Sequence, residues 1–235
     1  MVLPTYNEAE NLPLMVSALL ALDLPVRILV VDDNSPDGTG EIAEDLKAAH
    51  PGRLEVLHRP RKGGLGPAYL AGFRRALAWG AEVVGQMDVD FSHPPDRLPA
   101  MMATLAQGYD VVLGSRYVAG GRLDETWPFW RRALSAFGNG YARVLLGLPI
   151  RDVTGGFRLF RREALERLPL HRVRSTGYVF QVEIAYLAHR LGLRMAEVPI
   201  YFAERQRGES KMSLRIQLEA ALRVWQLRWQ YRDLP

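Results

Sequence analysis

Short apolar runs alternate with longer amphipathic segments along the first half of this 235-residue chain. The apolar runs, interpreted as β-strands, occupy residues 1–4, 26–31, 53–58, 83–87 and 111–114. Segments of helical period lie between them, at residues 8–20, 39–49, 66–79 and 95–106. The run at residues 26–31 is almost entirely aliphatic, which is typical of a strand buried on both faces. The alternation predicts an α/β fold with a mostly parallel sheet flanked by helices.

Beyond residue 115 the alternation is looser. Helices are predicted at residues 127–148, 177–190 and 213–231, and strands near residue 158 and at residues 194–198. A basic loop is predicted at residues 205–211. No linker or internal repeat separates the two halves of the chain. We therefore expect one catalytic domain at residues 1–212, followed by an amphipathic helix at residues 213–235.

The last predicted helix carries two apolar faces and one polar stripe on a helical wheel. One apolar face consists of Leu214, Leu218, Leu222, Trp225 and Trp229. The other consists of Ile216, Ala220, Val224, Leu227 and Tyr231. Two interpretations are open. The helix docks on the domain as a core element, or it lies in a membrane interface, where Trp and Arg are favoured.

Composition narrows the chemistry. The chain has no cysteine, so it has no disulfide framework, and any metal ion must be held by oxygen or histidine ligands. No apolar run approaches the ~20 residues of a membrane-spanning helix, and no signal peptide is visible. The net charge of +4 and the pI of about 9.5 suit polyanionic ligands or an anionic membrane surface. Residues 1–4 resemble the end of a strand, so we expect the natural start upstream.

Two carboxylates, Asp88 and Asp90, directly follow the predicted strand at residues 83–87. Residues i and i+2 of an extended segment point the same way, so both side chains are expected at the carboxyl end of that strand. Two carboxylates that converge repel each other unless a cation joins them, and oxygen ligands suit Mg²⁺ or Mn²⁺. The alternative is a solvated pair of acids in a turn.

Acidic residues follow three of the predicted parallel strands: Glu8, the pair Asp32 and Asp33, and the pair Asp88 and Asp90. Because such strand ends share one edge of a sheet, we expect these groups to line one cleft. No G-x-G-x-x-G pattern follows the first strand, which argues against a dinucleotide coenzyme.

The same cleft offers contacts for a nucleotide. Asp32 or Asp33 can accept hydrogen bonds from a nucleobase or a ribose, or one of them caps the following helix. Tyr6 offers a ring on which a base can stack.

Six motifs occur along the chain in the order known from glycosyltransferase family 2. They are residues 2–8 (VLPTYNE), 30–39 (VVDDNSPDGT), 88–95 (DVDFSHPP), 114–117 (GSRY), 154–158 (TGGFR) and 205–212 (RQRGESKM). Within that family the chain most resembles the dolichol-phosphate mannose synthases, the polyprenyl monophosphomannose synthases. The resemblance implies a GT-A fold, GDP-mannose as donor and a dolichyl or polyprenyl phosphate as acceptor.

The resemblance also implies roles for individual residues. It places in the donor site Pro4, Tyr6, Glu8, Val31, Asp32, Asp33, Asp88, Val89 and Asp90. Asp88 and Asp90 match the site of Mg²⁺ or Mn²⁺ and the diphosphate. Some members complete the metal shell with a Gln where this chain has Ser92, a poorer ligand. The catalytic set implied is Asp90, Arg116, Arg205 and Lys211, with Arg131 on the acceptor side and Arg207 as a neighbour in the cationic loop.

Charge suggests how such an enzyme works. A polyprenyl phosphate has its second pKa near ~6, so it is largely dianionic at neutral pH and is a nucleophile without a catalytic base. A divalent cation neutralises the diphosphate leaving group, and the arginines and the lysine screen the phosphates. Attack in line at the anomeric carbon inverts it, giving a β-linked product from an α-linked donor.

We also assign expected roles to residues 127–132, His93 and Glu183. We expect a mobile acceptor loop, with aromatic rings on lipid and arginines on phosphate, at Trp127, Trp130, Arg131 and Arg132. The alternative is that these residues are ordinary packing and surface charge. His93, before two prolines, is expected to be a structural turn residue, and Glu183 a structural or positioning residue.

These observations predict a peripheral enzyme on the cytoplasmic face of a membrane. The alternatives are a UDP-glucose-dependent transferase and a non-catalytic nucleotide-sugar-binding subunit. We expect no nucleic-acid partner, because no basic stripe interleaved with aromatics extends beyond residues 127–132.

Overall fold

The computed structural model describes residues 1–204 and 214–234, with side-chain positions in the second segment from residue 221 onward. Its strands are β1 (Val2–Thr5), β2 (Ile28–Asp32), β3 (Leu54–His58), β4 (Val83–Gln86), β5 (Val111–Ser115), β6 (Arg122–Leu123), β7 (Arg158–Arg161), β8 (Met195–Pro199) and β9 (Tyr201–Phe202). Its α-helices are α1 (Leu12–Leu20), α2 (Thr39–Ala49), α3 (Leu65–Ala78), α4 (Leu98–Ala106), α5 (Phe129–Leu146), α6 (Arg162–Arg167), α7 (Val179–Arg190) and α8 (Leu214–Gln230).

Seven strands form the central sheet in the order β3-β2-β1-β4-β7-β5-β8. Every neighbouring pair is parallel except those of β7, which runs antiparallel to both β4 and β5. The predicted α/β fold with a mostly parallel sheet is therefore confirmed. The chain enters β7 from the loop at residues 147–157, on the carboxyl side of its neighbours, so this strand must run in the opposite direction.

Side chains of the central strands alternate between two cores. Val2 and Val31 belong to the core on one face, together with residues of α3 and α7, whereas Leu3 and Val30 belong to the core on the other face, together with residues of α1 and α4. All four side chains are at most 1% exposed. This burial on both faces explains the nearly unbroken aliphatic runs of the sequence, because a strand with one wet face alternates apolar and polar residues. The helices thus form one layer on each side of the sheet.

Several short elements carry no clear signal in the sequence. β6 and β9 are two residues each and pair in parallel to form a separate ribbon beside the sheet. Helix α6 is six residues long and follows β7 directly. Helix α1 begins at Leu12 rather than at residue 8, because residues 8–11 form a turn in which the backbone carbonyl of Glu8 accepts the N–H groups of Asn11 and Leu12.

The two apolar faces of helix α8 differ in burial, and contact of the helix with a membrane stays a prediction. Val224, Leu227 and Tyr231 are at most 4% exposed and pack in the core shared with α5 and α7. On the other face, Leu222, Trp225 and Trp229 are 65%, 49% and 66% exposed. The helix therefore docks on the domain with one face and presents the other outward.

A buried carboxylate anchors this docking. Glu183 in α7 has no exposed surface, and its oxygens accept hydrogen bonds from the Tyr231 hydroxyl at 2.7 Å and the Ser175 N–H at 2.9 Å. The amide of Gln230 donates to it at 3.3 Å, and the Arg223 guanidinium lies 3.7 Å away. The expectation of a structural role for Glu183 agrees with these contacts, since one carboxylate joins α7, α8 and the loop at residues 173–177.

We predict that Glu183→Ala lowers the free energy of unfolding by about 3–5 kcal/mol, because it leaves several buried donors without an acceptor. Urea denaturation followed by circular dichroism measures the change. Glu166→Ala is the matched control: Glu166 pairs with Arg162 at the surface, at 49% side-chain exposure, and its loss should change stability by less than about 0.5 kcal/mol. Equal stability of the two variants would contradict the role assigned to Glu183.

Candidate active site

The candidate site lies at the carboxyl edge of the parallel strands, around the boundary between β1 and β4. Strand order runs outward from this boundary in both directions, so the crossovers on either side diverge and leave a crevice. The loops that follow β1, β2, β4 and β5 open onto this edge, and so does the loop that precedes the antiparallel β7. The acidic groups expected in one cleft are therefore brought to one edge.

The segment after β4 keeps the alternation of a strand. Met87 and Val89 point into the core at 0% and 2% exposure, whereas the Asp88 side chain is 29% exposed toward the cleft. The Tyr69 hydroxyl donates a hydrogen bond to Asp88 Oδ1 at 3.0 Å. Burial, and then the charge of Asp88, raises the pKa of Tyr69 well above its usual value, so this hydroxyl stays protonated and remains a donor. Tyr69 thereby orients the first carboxylate.

Asp90 is oriented by its own turn. The backbone N–H and the hydroxyl of Ser92 both donate to Asp90 Oδ1, at 3.1 and 2.6 Å. Phe91 between them has a φ of 60°, a left-handed conformation that is rare for a bulky residue and that makes this tight turn possible. In this arrangement the Ser92 hydroxyl donates its hydrogen bond to Asp90. Its role as a third metal ligand stays a prediction.

His93 binds the backbone of the same segment. Its Nδ1 accepts the N–H of Asp88 at 3.3 Å, and its ring packs against Phe157 and Phe202 with centroids 5.8 and 5.3 Å away. Burial lowers the pKa of His93, although the charges of Asp88 and Asp90 oppose the effect. A neutral imidazole is therefore the form that fits here, and the expectation of a structural turn residue agrees with these contacts.

Asp88 and Asp90 suit a hard divalent cation. Both are carboxylates at the carboxyl edge of the sheet, and each has a fixed hydrogen-bond donor that sets its orientation. Among residues 1–204 and 214–234, no cluster of three or more His, Cys, Asp or Glu could hold a metal ion. A Mg²⁺ or Mn²⁺ ion bound here would complete its shell with oxygens of substrate and water, as these ions do at phosphate-transfer sites.

The pair after β2 is held by partners within the protein. Asp32 accepts from the hydroxyls of Thr5 and Ser35, at 3.0 and 2.6 Å. Asp33 forms an ion pair with Arg59 and accepts the N–H of Gly63 at 2.8 Å. Both acids are buried, at 2% and 4% exposure. Their predicted contact with a nucleoside therefore competes with these internal partners and stays a prediction.

The alternative role for Asp32 or Asp33, as the cap of the following helix, is wrong. Helix α2 begins at Thr39, and the carboxylate of Asp37 accepts both the N–H and the hydroxyl of Thr39, at 3.1 and 2.6 Å. The other oxygen of Asp37 accepts the N–H of Ala9 at 3.2 Å, so this acid also joins the first two cleft loops.

The remaining donor-site residues differ in what they can offer. Tyr6 is partly exposed, and the Lys62 ammonium lies 3.7 Å from the centre of its ring. Glu8 accepts from the Asn11 amide at 2.8 Å. Pro4 is partly exposed. The side chains of Val31 and Val89 are buried in the two cores, so these residues can meet a ligand only through their backbone.

Arg116 follows β5 and is held by a carboxylate that our sequence analysis missed. Asp152 accepts from Nε and Nη2 of Arg116, both at 2.7 Å, and from its backbone N–H at 2.9 Å. Burial alone would lower the pKa of Arg116, but the charge of Asp152 and its hydrogen bonds raise it. The same partnership lowers the pKa of the fully buried Asp152 against the effect of burial. Both groups stay charged.

The loop that carries Asp152 is itself held by two elements, β8 and α5. Glu197 of β8 accepts the N–H groups of Arg151 and Asp152, at 2.7 and 2.8 Å. The amide of Asn139, on α5, bonds to the Arg151 carbonyl and accepts the N–H of Val153. Arg116 is therefore positioned by a network that reaches α5.

Arg158 is a second residue that the sequence analysis missed. It is 1% exposed and donates to the carbonyls of Gly155, Gln181 and Val153, at 2.8 to 2.9 Å. Burial lowers the pKa of Arg158 to about 10. The guanidinium thus clamps the glycine loop at residues 154–157 onto the start of α7. The position of Arg158 within the TGGFR motif was the available signal, but the motif does not show which way the side chain points.

The residues of the predicted acceptor loop lie in different environments. Trp127 is 9% exposed and packs edge-on against Phe202, whereas Trp130 is 66% exposed in the first turn of α5. Arg131 stacks on Trp127 at 3.7 Å and pairs with both oxygens of Glu204, at 2.9 to 3.0 Å. Arg205, Arg207 and Lys211, predicted beside the phosphates, lie outside the described residues.

Comparison with known proteins gives consistent results. A sequence model described as "Glycosyl transferase family 2" matches residues 1–169. A polyprenol monophosphomannose synthase of Mycolicibacterium smegmatis is 49% identical over 212 residues, which cover 90% of this chain and 80% of that protein. An undecaprenyl-phosphate mannosyltransferase of Micrococcus luteus is 46% identical over 233 residues, which cover 97% of this chain and 95% of that protein.

A solved structure supports the fold. The mannosyltransferase of Pyrobaculum calidifontis, determined in complex with GDP-Man and Mn²⁺, superposes with a TM-score of 0.62 at 21% identity. The match covers 94% of this chain and 60% of that one. At this identity the likeness concerns the fold alone, and it agrees with the mixed sheet and flanking helices described above. With the family match over the first 169 residues and two relatives near half identity over almost all of its length, this chain belongs to glycosyltransferase family 2, is a glycosyltransferase enzyme and has the GT-A fold.

Proposed function

We propose that this enzyme transfers mannose from GDP-mannose to a polyprenyl phosphate, with inversion at the anomeric carbon. The observation that carries the proposal is the pair Asp88 and Asp90, oriented by Tyr69 and Ser92, at the switch point of the sheet. The two relatives named above, which are a polyprenol monophosphomannose synthase and an undecaprenyl-phosphate mannosyltransferase, support the sugar and the acceptor. The Pyrobaculum enzyme solved with GDP-Man and Mn²⁺ supports the donor.

We further propose that Asp88 and Asp90 hold a Mg²⁺ or Mn²⁺ ion. Such an ion, when bound, supplies positive charge to the diphosphate that leaves as the sugar is transferred. The contribution of the protein is to hold the two carboxylates in register. Neutral donors perform this task without adding charge, because Tyr69 stays protonated and Ser92 is a hydroxyl.

The acceptor phosphate needs cations more than it needs a base. At neutral pH it is largely dianionic, so its oxygen attacks without losing a proton to the protein. Arg116 suits the task of receiving it. Asp152 and Thr154 engage Nε and Nη2 of Arg116, which leaves Nη1 with no protein acceptor in the described part of the chain. Asp152 aims the guanidinium and keeps it charged, and Nη1 can donate to a phosphate oxygen.

The acceptor is a lipid, and one surface suits contact with a membrane. Exposed apolar side chains on two packed helices form what we call the α5–α8 face: Phe129, Trp130, Leu134, Phe137, Val144, Leu222, Trp225 and Trp229. The Tyr141 hydroxyl donates to the Ala221 carbonyl at 3.2 Å, which joins the two helices. No described helix is both long enough and apolar enough to cross a bilayer.

Charge on the α5–α8 face matches an anionic lipid surface. Four arginines on or next to its helices are exposed: Arg132, Arg143, Arg228 and Arg232. Tryptophan and arginine together are favoured at the boundary of headgroups and acyl chains. Through Asn139, α5 also touches the loop of Asp152, which holds Arg116. We propose that the enzyme binds the cytoplasmic face of the membrane peripherally, so that a lipid-borne phosphate reaches Arg116.

The donor assignment has a direct test. Labelled GDP-mannose, UDP-glucose and UDP-N-acetylglucosamine are each incubated with Mn²⁺ and a short polyprenyl phosphate. We expect label in the lipid phase from GDP-mannose alone. Label from UDP-glucose alone would show that the donor is UDP-glucose and that the reaction class is correct. A lipid phase without label from any donor would favour a non-catalytic nucleotide-sugar-binding subunit.

The carboxylate pair is tested by Asp90→Asn. Because the amide removes a negative ligand from the metal and keeps the shape, we expect transfer to fall at least about a hundredfold while the far-UV circular dichroism stays unchanged. The matched control is Asp96→Asn, an exposed acid six residues later, which should keep activity within about twofold. Near-normal turnover by Asp90→Asn would remove the metal from this site.

The α5–α8 face is tested by the double variant Trp225→Ala, Trp229→Ala. In flotation with vesicles that contain anionic lipid, we expect at least about tenfold weaker binding, since two interfacial aromatic rings are lost. Transfer to a short, water-soluble polyprenyl phosphate should persist. The control is Leu14→Ala, because Leu14 is 53% exposed on α1, outside this face. Unchanged flotation of the double variant would contradict the docking surface.

A further inference from the structure

A buried amide lies at the floor of the cleft, on the far side of the carboxylate pair from the nucleoside acids. Gln181 is the third residue of α7 and is 2% exposed. Its side-chain oxygen accepts a hydrogen bond from Nε2 of Gln86 at 2.7 Å. The same Gln86 nitrogen also donates to the carbonyl of Gly156, at 2.9 Å. Strand alternation places Gln86 on the same side of its strand as Asp88.

These contacts fix the orientation of the Gln181 amide. A flipped amide would bring two NH₂ groups against each other at the Gln86 contact, so the oxygen of Gln181 must face Gln86 and its nitrogen must face away. In the described part of the chain, that nitrogen has no hydrogen-bond acceptor. A fully buried NH₂ group without an acceptor is unfavourable, which indicates that its partner is a ligand or a bound water.

The Gln181 nitrogen points toward the cleft side of Gly156. A Cβ atom added to Gly156 would lie 3.5 Å from Nε2 of Gln181 and 3.6 Å from Oδ2 of Asp88. It would lie 3.1 Å from Cε1 of His93. An amide donor and a carboxylate acceptor therefore converge on the small space that the missing side chain of Gly156 leaves.

The group that matches this pair is a hydroxyl. The oxygen of a hydroxyl accepts a hydrogen bond from the amide, and its O–H donates a hydrogen bond to the carboxylate, so both partners are satisfied at once. An ionised phosphate oxygen has no O–H to donate to the carboxylate, and its negative charge is repelled by Asp88. An apolar group would leave the buried Gln181 amide unpaired.

The order of the strands indicates which hydroxyl is meant. Asp32 and Asp33 follow β2, the carboxylate pair follows β4, and Gly156 precedes β7. Since β2 and β7 are three strand spacings apart, roughly 14 Å separates the ends of this row. A nucleotide sugar laid along the edge, with its base toward β2 and its diphosphate at β4, has its sugar at β7.

We propose that the Gln181 amide donates a hydrogen bond to one hydroxyl of the sugar that is transferred, and that this contact selects the sugar. The inference rests on the proposed function and adds a specificity residue to it. The contact discriminates because a buried donor left unpaired disfavours any sugar that lacks this hydroxyl or carries it in the opposite configuration.

The test compares wild type with Gln181→Leu, using GDP-mannose and each of its monodeoxy derivatives as donors for a short polyprenyl phosphate. We expect wild type to lose at least about tenfold in kcat/KM with one derivative. Gln181→Leu should lose a similar factor with GDP-mannose itself, and should distinguish GDP-mannose from that one derivative by less than about twofold. GDP affinity, measured by calorimetry, should stay within about twofold of wild type.

Two further variants make the result decisive. Gly156→Ala keeps Gln181 and fills the same space, so it should raise KM for GDP-mannose at least about tenfold with unchanged GDP affinity. It decides the matter if Gln181→Leu fails to fold. Gln107→Leu changes an exposed glutamine at the end of α4 and should match wild type with every donor.

Two outcomes would overturn the assignment. If the ratios between donors are the same in wild type and in Gln181→Leu, and Gly156→Ala has an unchanged KM, the inference fails while the transferase stands. If wild type transfers sugar from none of the donors, the proposed function fails and the inference fails with it.

Discussion

The arrangement of charge at one edge of a parallel sheet is the constraint on which this structure depends. Parallel strands gather the residues that follow them, so acids after β2 and β4 come to share one cleft. Carboxylates held so closely repel one another. Local partners of two kinds stabilise them. Neutral donors orient Asp88 and Asp90, whereas the guanidinium of Arg59 forms an ion pair with Asp33. The donors to Asp88 and Asp90 set the orientation of these two carboxylates, and we propose that the pair holds a cation.

The opposite problem is solved on the other side of the cleft. Arg116 is buried, and a buried cation without a partner would be strongly unfavourable. Asp152 compensates it through two charged contacts and remains ionised because of them. Since Glu197 and Asn139 hold the loop of Asp152, the position of the cation depends on β8 and α5 together. The helix with the exposed aromatic face is thus connected to the cation that we propose receives the lipid phosphate.

Both proposed contact regions combine exposed and anchored groups. Helix α8 exposes Trp225 and Trp229 and is held by Tyr231, whose hydroxyl bonds to the buried Glu183. The loop that Glu183 fixes also contacts the beginning of α3, where the N–H of Gly66 donates to the Thr176 carbonyl. Gly63 and Gly64 directly precede that helix, and the N–H of Gly63 donates to Asp33. A continuous set of contacts therefore joins α8 to the end of the cleft at Asp33.

The sequence by itself determined the α/β alternation, the family and the positions of Asp88, Asp90 and Arg116, because these depend on local periodicity and on residues in contiguous motifs. It did not reveal the direction of β7, the partner of Arg116 or the orientation of Gln181. Those depend on contacts between segments far apart in the chain: Asp152 meets Arg116 across 36 residues, and Gln181 meets Gln86 across 95. The tertiary structure also decided how α8 is used, since two apolar faces are equivalent on a helical wheel until the domain buries one of them.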